Sequence, residues 1–195
     1  MVDSIQNYEE SSSVPYRLDL KKMIDYVNNF TDVKNLLLVE IGTREGGSAF
    51  HFSKYFKHVI SVDPYFEGID ASLNIAEKEF LRNLEKFNNI SKIRMKSDEA
   101  VNLFKDESID ILYIDGDHAE DIVTNDIKLW LPKIKENGFI SGHDYYNLEG
   151  LTEEQIEPYP WYNKNVFYAV NGCLGIPEFH DGYANWLFQK KNIKK

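Results

Sequence analysis

Three short stretches of this chain concentrate side chains that can bind ions, move protons or approach a ligand closely. Asp115-Gly116-Asp117-His118 places two carboxylates and an imidazole within one turn. Gly142-His143-Asp144-Tyr145 adds a second imidazole and carboxylate pair. Val39-Glu40-Ile41-Gly42-Thr43-Arg44-Glu45-Gly46-Gly47-Ser48 carries three glycines, a residue type that lets backbone turn tightly and lie against a bound molecule. Carboxylates suit hard divalent cations, imidazole suits transition metals, and a histidine titrates near neutrality. Metal binding and acid–base chemistry are therefore both open to these residues.

The elements around these stretches have a regular order. Tyr16, Leu20, Met23, Val27 and Phe30 step at helical spacing after a polar lead, residues 1–15. Asn35 to Ile41, His58 to Val62, Ile90 to Met95, Ile109 to Ile114 and Phe139 to Ser141 are short apolar runs suited to buried parallel strands. Between them lie helical patterns, with Ala49, Phe52 and Phe56, then Leu73 to Phe87, Ser97 to Phe104 with Ser97 as N-cap, and Val123 to Ile134. A helix over Val166 to Cys173 and a strand over Tyr183 to Lys190 complete the pattern. The expected fold is α/β: a doubly wound, mostly parallel sheet with helices on both faces. The 195-residue length predicts one domain over residues 16–195, with 148–163 as a candidate lid or acceptor loop.

In such sheets ligands bind beyond the carboxyl ends of the strands. The polar residues predicted there are Gly42, Asp63, Ser97 with Asp98, Asp115, and His143 with Asp144. The glycine turn lacks the Gly-x-Gly-x-x-Gly dinucleotide spacing and the Gly-Lys-Ser/Thr phosphate loop. A Glu40 carboxylate beside the turn would repel a pyrophosphate and tolerate an ammonium and a sulfonium, which favours S-adenosylmethionine over NAD or ATP. Asp63, 21 residues after Gly42, is placed to accept the hydroxyls of a ribose. Ser97 and Asp98 are candidates for the adenine amino group, or simply for a helix cap.

The ordered set of turn, Ser-Val-Asp-Pro, Lys-Ser-Asp-Glu-Ala, Tyr-Ile-Asp-Gly-Asp-His and Gly-Phe-Ile-Ser-Gly-His-Asp-Tyr resembles the class I methyltransferases of the methyltransferase domain 24 type, and is similar to macrocin-type sugar O-methyltransferases. The likeness covers roughly Asn35 to Tyr146, and it implies the Rossmann-like methyltransferase fold with a doubly wound, mostly parallel seven-stranded sheet. It implies S-adenosylmethionine as cofactor, held by Glu40, Gly42, Gly46, Ser48, Asp63, Ser97, Asp98 and Asp115. It implies methyl transfer to a hydroxyl of a small-molecule acceptor. It also implies a divalent cation, Mg²⁺ or a transition metal, on Asp115, His143 and Asp144. The His at 143 departs from the Asp or Glu usual in the sugar enzymes. By the same likeness His118 is the general base, with Asp115 beside it in the catalytic pair. A metal-dependent hydroxylase on the same fold, using His118, His143 and an aspartate, and a non-catalytic cofactor-binding module are the alternatives.

The net charge of −10 opposes nucleic-acid and anionic-membrane partners, and no apolar run reaches membrane-spanning length. A single cysteine, Cys173, forbids an intrachain disulfide. A cytoplasmic protein, and by default a homodimer, is the expectation. Tyr145, Tyr146, Tyr159, Trp161 and Tyr162 are candidates for an aromatic wall over the acceptor, against ordinary packing. His51, His58 and His180 carry no motif and are expected to be packing or surface residues.

Overall fold

The computed structural model describes residues 14–65, 71–146, 148, 152, 164–181 and 184–193. Residues 1–13 of the expected lead, and most of the expected 148–163 loop with Tyr159, Trp161 and Tyr162, lie outside the described residues. Strands β1 (Leu37–Ile41), β2 (His58–Val62), β3 (Ile90–Ile93), β4 (Ile109–Ile114), β5 (Ile134–Gly142), β6 (Phe179–His180) and β7 (Trp186–Gln189) form one sheet in the order β3-β2-β1-β4-β5-β7-β6. The first five are parallel. β7 runs antiparallel to both β5 and β6, so the sheet is mixed, with an antiparallel hairpin at one edge. A connection too short to carry a crossover helix joins β6 to β7, and such a connection permits only antiparallel pairing.

The strands alternate side chains between two helical layers, and the burial follows that period of two. Leu38, Val59, Ile111, Tyr113 and Phe139 face α1 (Val14–Asn28), α2 (Gly47–Phe52) and α3 (Ala71–Leu84), where Leu20, Met23, Val27, Phe52 and Phe80 meet them. Val39, Ile41, Leu112, Ile114 and Ile140 face the other layer. That layer is α4 (Ser97–Ala100), α5 (Glu120–Trp130) and α6 (Lys164–Cys173), with Val123, Ile127, Trp130, Val166 and Val170 packed inward. Each such side chain contributes roughly 1.5–3 kcal/mol by leaving water, which makes these two layers the main source of stability.

Four boundaries differ from the sequence expectation for identifiable reasons. Helix α1 begins at Val14, so Pro15 lies inside it; proline is tolerated in a first turn, where the amide it lacks has no intrahelical partner. The N-cap of α4 is Lys96, not Ser97, and no side chain caps it. Strand β5 starts at Ile134 rather than after the Asn137-Gly138 pair, which instead makes a register shift between Ile109↔Ile134 and Ile111↔Phe139. A Cβ at Gly138 would lie 2.7 Å from the Asp110 carbonyl oxygen, so the shifted strand needs glycine there. Strand β6 gave no readable pattern in two residues. Among the described residues no helix is long and apolar enough to cross a membrane.

Candidate active site

The carboxyl ends of β1 and β4 touch at Gly42. Its φ is +86°, and a Cβ there would lie 2.1 Å from the Asp115 carbonyl oxygen. The Asp115 amide donates to the Ile41 carbonyl (2.8 Å), and the Gly42 amide to that of Val62 (2.9 Å). Gly46, with φ +88°, opens α2; a Cβ there would meet the Phe80 ring at 2.4 Å. The two glycines therefore have separate reasons: one lets β4 end against the turn, the other lets α3 pack under it.

Asp63 ends β2 and builds the turn from the side. One carboxylate oxygen accepts the amides of Thr43 (3.0 Å) and Arg44 (2.9 Å), and the other accepts that of Tyr65 (2.9 Å). The Tyr65 hydroxyl donates to the Arg44 carbonyl at 2.7 Å. Among the described residues four non-glycine residues have left-handed φ, and three of them, Arg44, Tyr65 and Asp144, sit at these strand ends. Such backbone is costly and persists where neighbours over-determine it. The Thr43 hydroxyl is buried without a hydrogen-bond partner among the described residues. A buried polar atom left in that state fits a site completed by a ligand or a water.

Glu40 corrects the sequence reading. Its side chain shares a face with Leu38, not the cleft, and is fully buried. The Ser48 hydroxyl donates to one carboxylate oxygen, and that of Ser61 to the other at 3.3 Å. Burial pushes the Glu40 carboxyl up to about 8, beyond what the Ser48 bond recovers, so it is largely neutral at pH 7. It therefore offers no charge with which to repel a pyrophosphate or attract a sulfonium. Ser48 is buried as well, its hydroxyl engaged by Glu40.

Ser97 is also corrected. Its hydroxyl lies 2.5 Å from Asp126 Oδ1 and accepts the Trp130 indole N–H at 2.8 Å, joining α4 to α5. That commits it to the helix layer rather than to an adenine ring. Asp126, raised to about 6 chiefly by burial, completes the joint. Asp98 is exposed in the first turn of α4.

The metal-and-base candidates do come together. His118 lies in the loop before α5, two residues short of it. Its Nε2 is 2.9 Å from Asp144 Oδ2. His143 Nδ1 is 3.3 Å from the same oxygen and 4.0 Å from Asp115 Oδ1. The set whose ligand atoms all lie within 4.8 Å of one another is Asp115, His118 and Asp144, so His118 is closer to a ligand position than the sequence suggested. Burial alone would raise the Asp144 carboxyl, but bonds from His118 and His143 outweigh it and hold the group well below the ordinary range. His118 is raised in return, mainly by its bond to Asp144. Burial opposes the charge on His143, yet Asp144 and Asp115 still raise it. The Trp186 indole N–H, bonded to the His143 carbonyl at 3.2 Å, and the Gly142 contact with Ile114 fix the end of β5.

Tyr145 is not an acceptor wall. It is 2% exposed, and its hydroxyl donates to Asn171 in α6 at 3.1 Å. His180 packs against it, with Nε2 3.0 Å from the Tyr145 carbonyl. One acid near this end was missed. Asp19 in α1 is 4% exposed, and its signal in the sequence was a carboxylate four residues before Met23, on the apolar stripe.

A family described as "Methyltransferase domain" matches residues 39–145, from β1 to the residue after Asp144. The chain belongs to this methyltransferase-domain family. Two uncharacterised proteins of Acanthamoeba polyphaga mimivirus are curated relatives. One is 36% identical over 135 residues, 63% of this chain and 58% of that protein; the other is 24% identical over 164 residues, 84% and 57%. The chain thus spans little more than half the length of each. Solved structures similar to it include a Podospora anserina methyltransferase with S-adenosylhomocysteine bound, with TM-score 0.58, 14% identity and coverage of 89% of this chain and 76% of that one. Aeropyrum pernix fibrillarin with S-adenosylmethionine bound has TM-score 0.52, 19% identity and coverage of 80% and 67%. At those identities they show a shared fold.

Proposed function

We propose that the chain binds S-adenosylmethionine across the carboxyl ends of β1 to β4 and transfers its methyl group to a hydroxyl oxygen of a small-molecule acceptor. The carrying observation is that the family match coincides with the turn fixed by Gly42, Asp63 and Tyr65, beside Asp115, His118 and Asp144. The two similar structures named above hold the cofactor or its product, which supports the same ligand here. Asp63 holds the turn amides with both oxygens and has further lone pairs with which to accept ribose hydroxyls. The Thr43 hydroxyl awaits a partner on the same turn.

In the transfer, the sulfonium carbon–sulfur bond breaks as the acceptor oxygen–carbon bond forms. The hydroxyl proton passes to the His118 imidazole, leaving S-adenosylhomocysteine and a methyl ether. Asp144 orients that ring, and Asp115 lies beside it. Most of the acceleration in such a site comes from holding the two reactants in line. The donor set also fits a divalent cation: carboxylates of Asp115 and Asp144 with an imidazole of His118 or His143, a mixed oxygen–nitrogen set that favours a transition metal over Mg²⁺. When bound, such an ion lowers the pKa of an acceptor hydroxyl. His118 cannot serve as ligand and base at once, so with His118 as the base an ion would be held by Asp115, Asp144 and His143. Turnover of labelled S-adenosylmethionine with a panel of sugar and phenolic hydroxyl acceptors tests the reading. Transfer that survives exhaustive chelation removes the metal from the reaction, transfer abolished by it requires one, and no transfer to any hydroxyl overturns the reaction class.

A second reading draws on the convergence of two imidazoles and a carboxylate at Asp144, which matches the donor types of an iron-dependent hydroxylase. Iron content with oxygen-dependent turnover would favour it over methyl transfer. The acidic balance of the whole chain suits a small-molecule acceptor better than a nucleic acid.

A further inference from the structure

Arg44 and Tyr65 both have left-handed φ, +48° and +44°. A side chain makes such backbone costly, so each residue has to be held by its neighbours. Asp63 holds their amides, one on each carboxylate oxygen. Their carbonyls are held as well. That of Arg44 accepts the Tyr65 hydroxyl at 2.7 Å, and that of Tyr65 accepts the Arg94 guanidinium at 3.1 Å. The Tyr65 phenol stays protonated and so remains a donor, because burial, first, and the charge of Asp63 raise it above its ordinary value.

Arg94 stands just past β3 and does not act alone. Its Nε is 3.0 Å from Glu77 Oε1 on α3, and the Lys92 ammonium bonds the same oxygen. Lys92 and Arg94 are two residues apart, the spacing that sends side chains to one face of a strand. Lys92 also lies over the Tyr65 ring, 4.8 Å from its centroid. Tyr65 is fully buried, and the Glu77 and Lys92 side chains are 17% and 14% exposed, so solvent screens these charges only weakly. The end of β3 is itself fixed beside Asp63, whose amide donates to the Ile93 carbonyl at 3.1 Å. Holding α3 to the sheet does not require this triad, since Ala76 and Phe80 already bury that helix in the core. Three charged side chains instead converge on one carbonyl and one ring face, both belonging to Tyr65.

We propose that Arg94, oriented by Glu77 beside Lys92, is a positioning residue of the cofactor turn. It fixes the Tyr65 peptide and, through the Tyr65 hydroxyl, the Arg44 carbonyl in the geometry that receives the ligand. The assignment rests on the methyltransferase reading above. In this role Arg94 acts through Tyr65 rather than by touching the ligand. Without its bond the two left-handed residues relax toward ordinary backbone, and binding has to restore them at a cost in affinity.

The test is a double-mutant cycle on the full chain, with S-adenosylhomocysteine as the probe and calorimetry as the readout. Arg94→Met is expected to weaken binding by about tenfold, the loss of one charge-assisted bond, and Tyr65→Phe by a similar factor. The double variant is expected to bind about as weakly as either single variant, because both changes break the same chain of contacts. Glu77→Gln replaces Arg94→Met in the cycle should that variant misfold, with an expected loss of about threefold. Losses that multiply in the double variant mean that Arg94 acts by a route other than Tyr65, and overturn the assignment. Unchanged affinity in folded variants, with or without a lowered Tm, makes the triad purely structural and overturns it too. Failure of the wild type to bind S-adenosylhomocysteine instead overturns the methyltransferase reading.

Discussion

Glu40 shows most directly how a residue can lie in the right motif and do a different job. The sequence put an acid next to a ligand-binding turn, and its charge was the natural thing to use. Strand alternation turns it into the α1–α3 layer, where burial holds it protonated between Ser48 and Ser61. The linkage sign follows. The folded carboxyl titrates near 8, against an ordinary value of 4.5. Between those values the unfolded chain releases its proton and the folded chain keeps it. Stability from this group is therefore full below about pH 4.5 and is lost as pH rises through 8, at up to about 1.4 kcal/mol per pH unit. Urea midpoints at pH 5 and pH 8 should show this slope in the wild type and a flatter one in Glu40→Gln, the neutral isostere. Equal slopes would mean that Glu40 is ionised in the folded state. Gly42 is the converse case, a residue whose reason was readable. Gly42→Ala adds a left-handed side chain against the Asp115 backbone, and should cost roughly 2–4 kcal/mol by chemical denaturation.

At the scale of elements, the strand ends were the most legible feature. Short apolar runs bounded by Gly, Asp and His announced β1, β2, β4 and β5, and the structure gathers their terminal residues at one edge of the sheet. What could not be read was which way a polar side chain turns once it leaves the strand. Ser97 looked equally suited to a cap or a ligand and does neither, because Asp126 and Trp130 on α5 hold its hydroxyl. Ser97→Ala should lower stability by about 1–3 kcal/mol, since it strands a buried indole donor, and should leave cofactor affinity unchanged. A large affinity loss at normal stability would return Ser97 to the cleft. The His118 loop makes the opposite prediction. His118→Asn should reduce kcat by roughly 10²–10⁴ with S-adenosylhomocysteine affinity preserved. Because Asp144 raises the imidazole, the rate should climb with pH through a value above 6.5 as the base loses its proton. A pH-independent rate would remove the base role. The two-residue β6 and the Asn137-Gly138 register shift stayed hidden in the sequence. Both are set by contacts across the sheet, with Leu187, Trp186 and Asp110, rather than by local pattern.

The whole molecule ties these pieces to one edge of the sheet. Two helical layers clamp a sheet whose parallel strands all end at the same edge, so a ligand lying across β1, β2 and β4 contacts parts of the chain far apart in sequence. Ligand binding should then stabilise the folded domain as a unit, by RT ln(1 + [L]/Kd), and not loosen one element alone. The N-terminal helix, which local periodicity presented only as a packing helix, reaches the residue after β6 through Lys22. The most direct test of the central claim is calorimetric titration of the wild-type chain with S-adenosylhomocysteine, alongside Gly42→Ala at a temperature where that variant remains folded. The account predicts saturable one-to-one binding by the wild type and its loss in the variant. No binding by the wild type, or undiminished binding by the folded variant, would contradict a cofactor site at this turn.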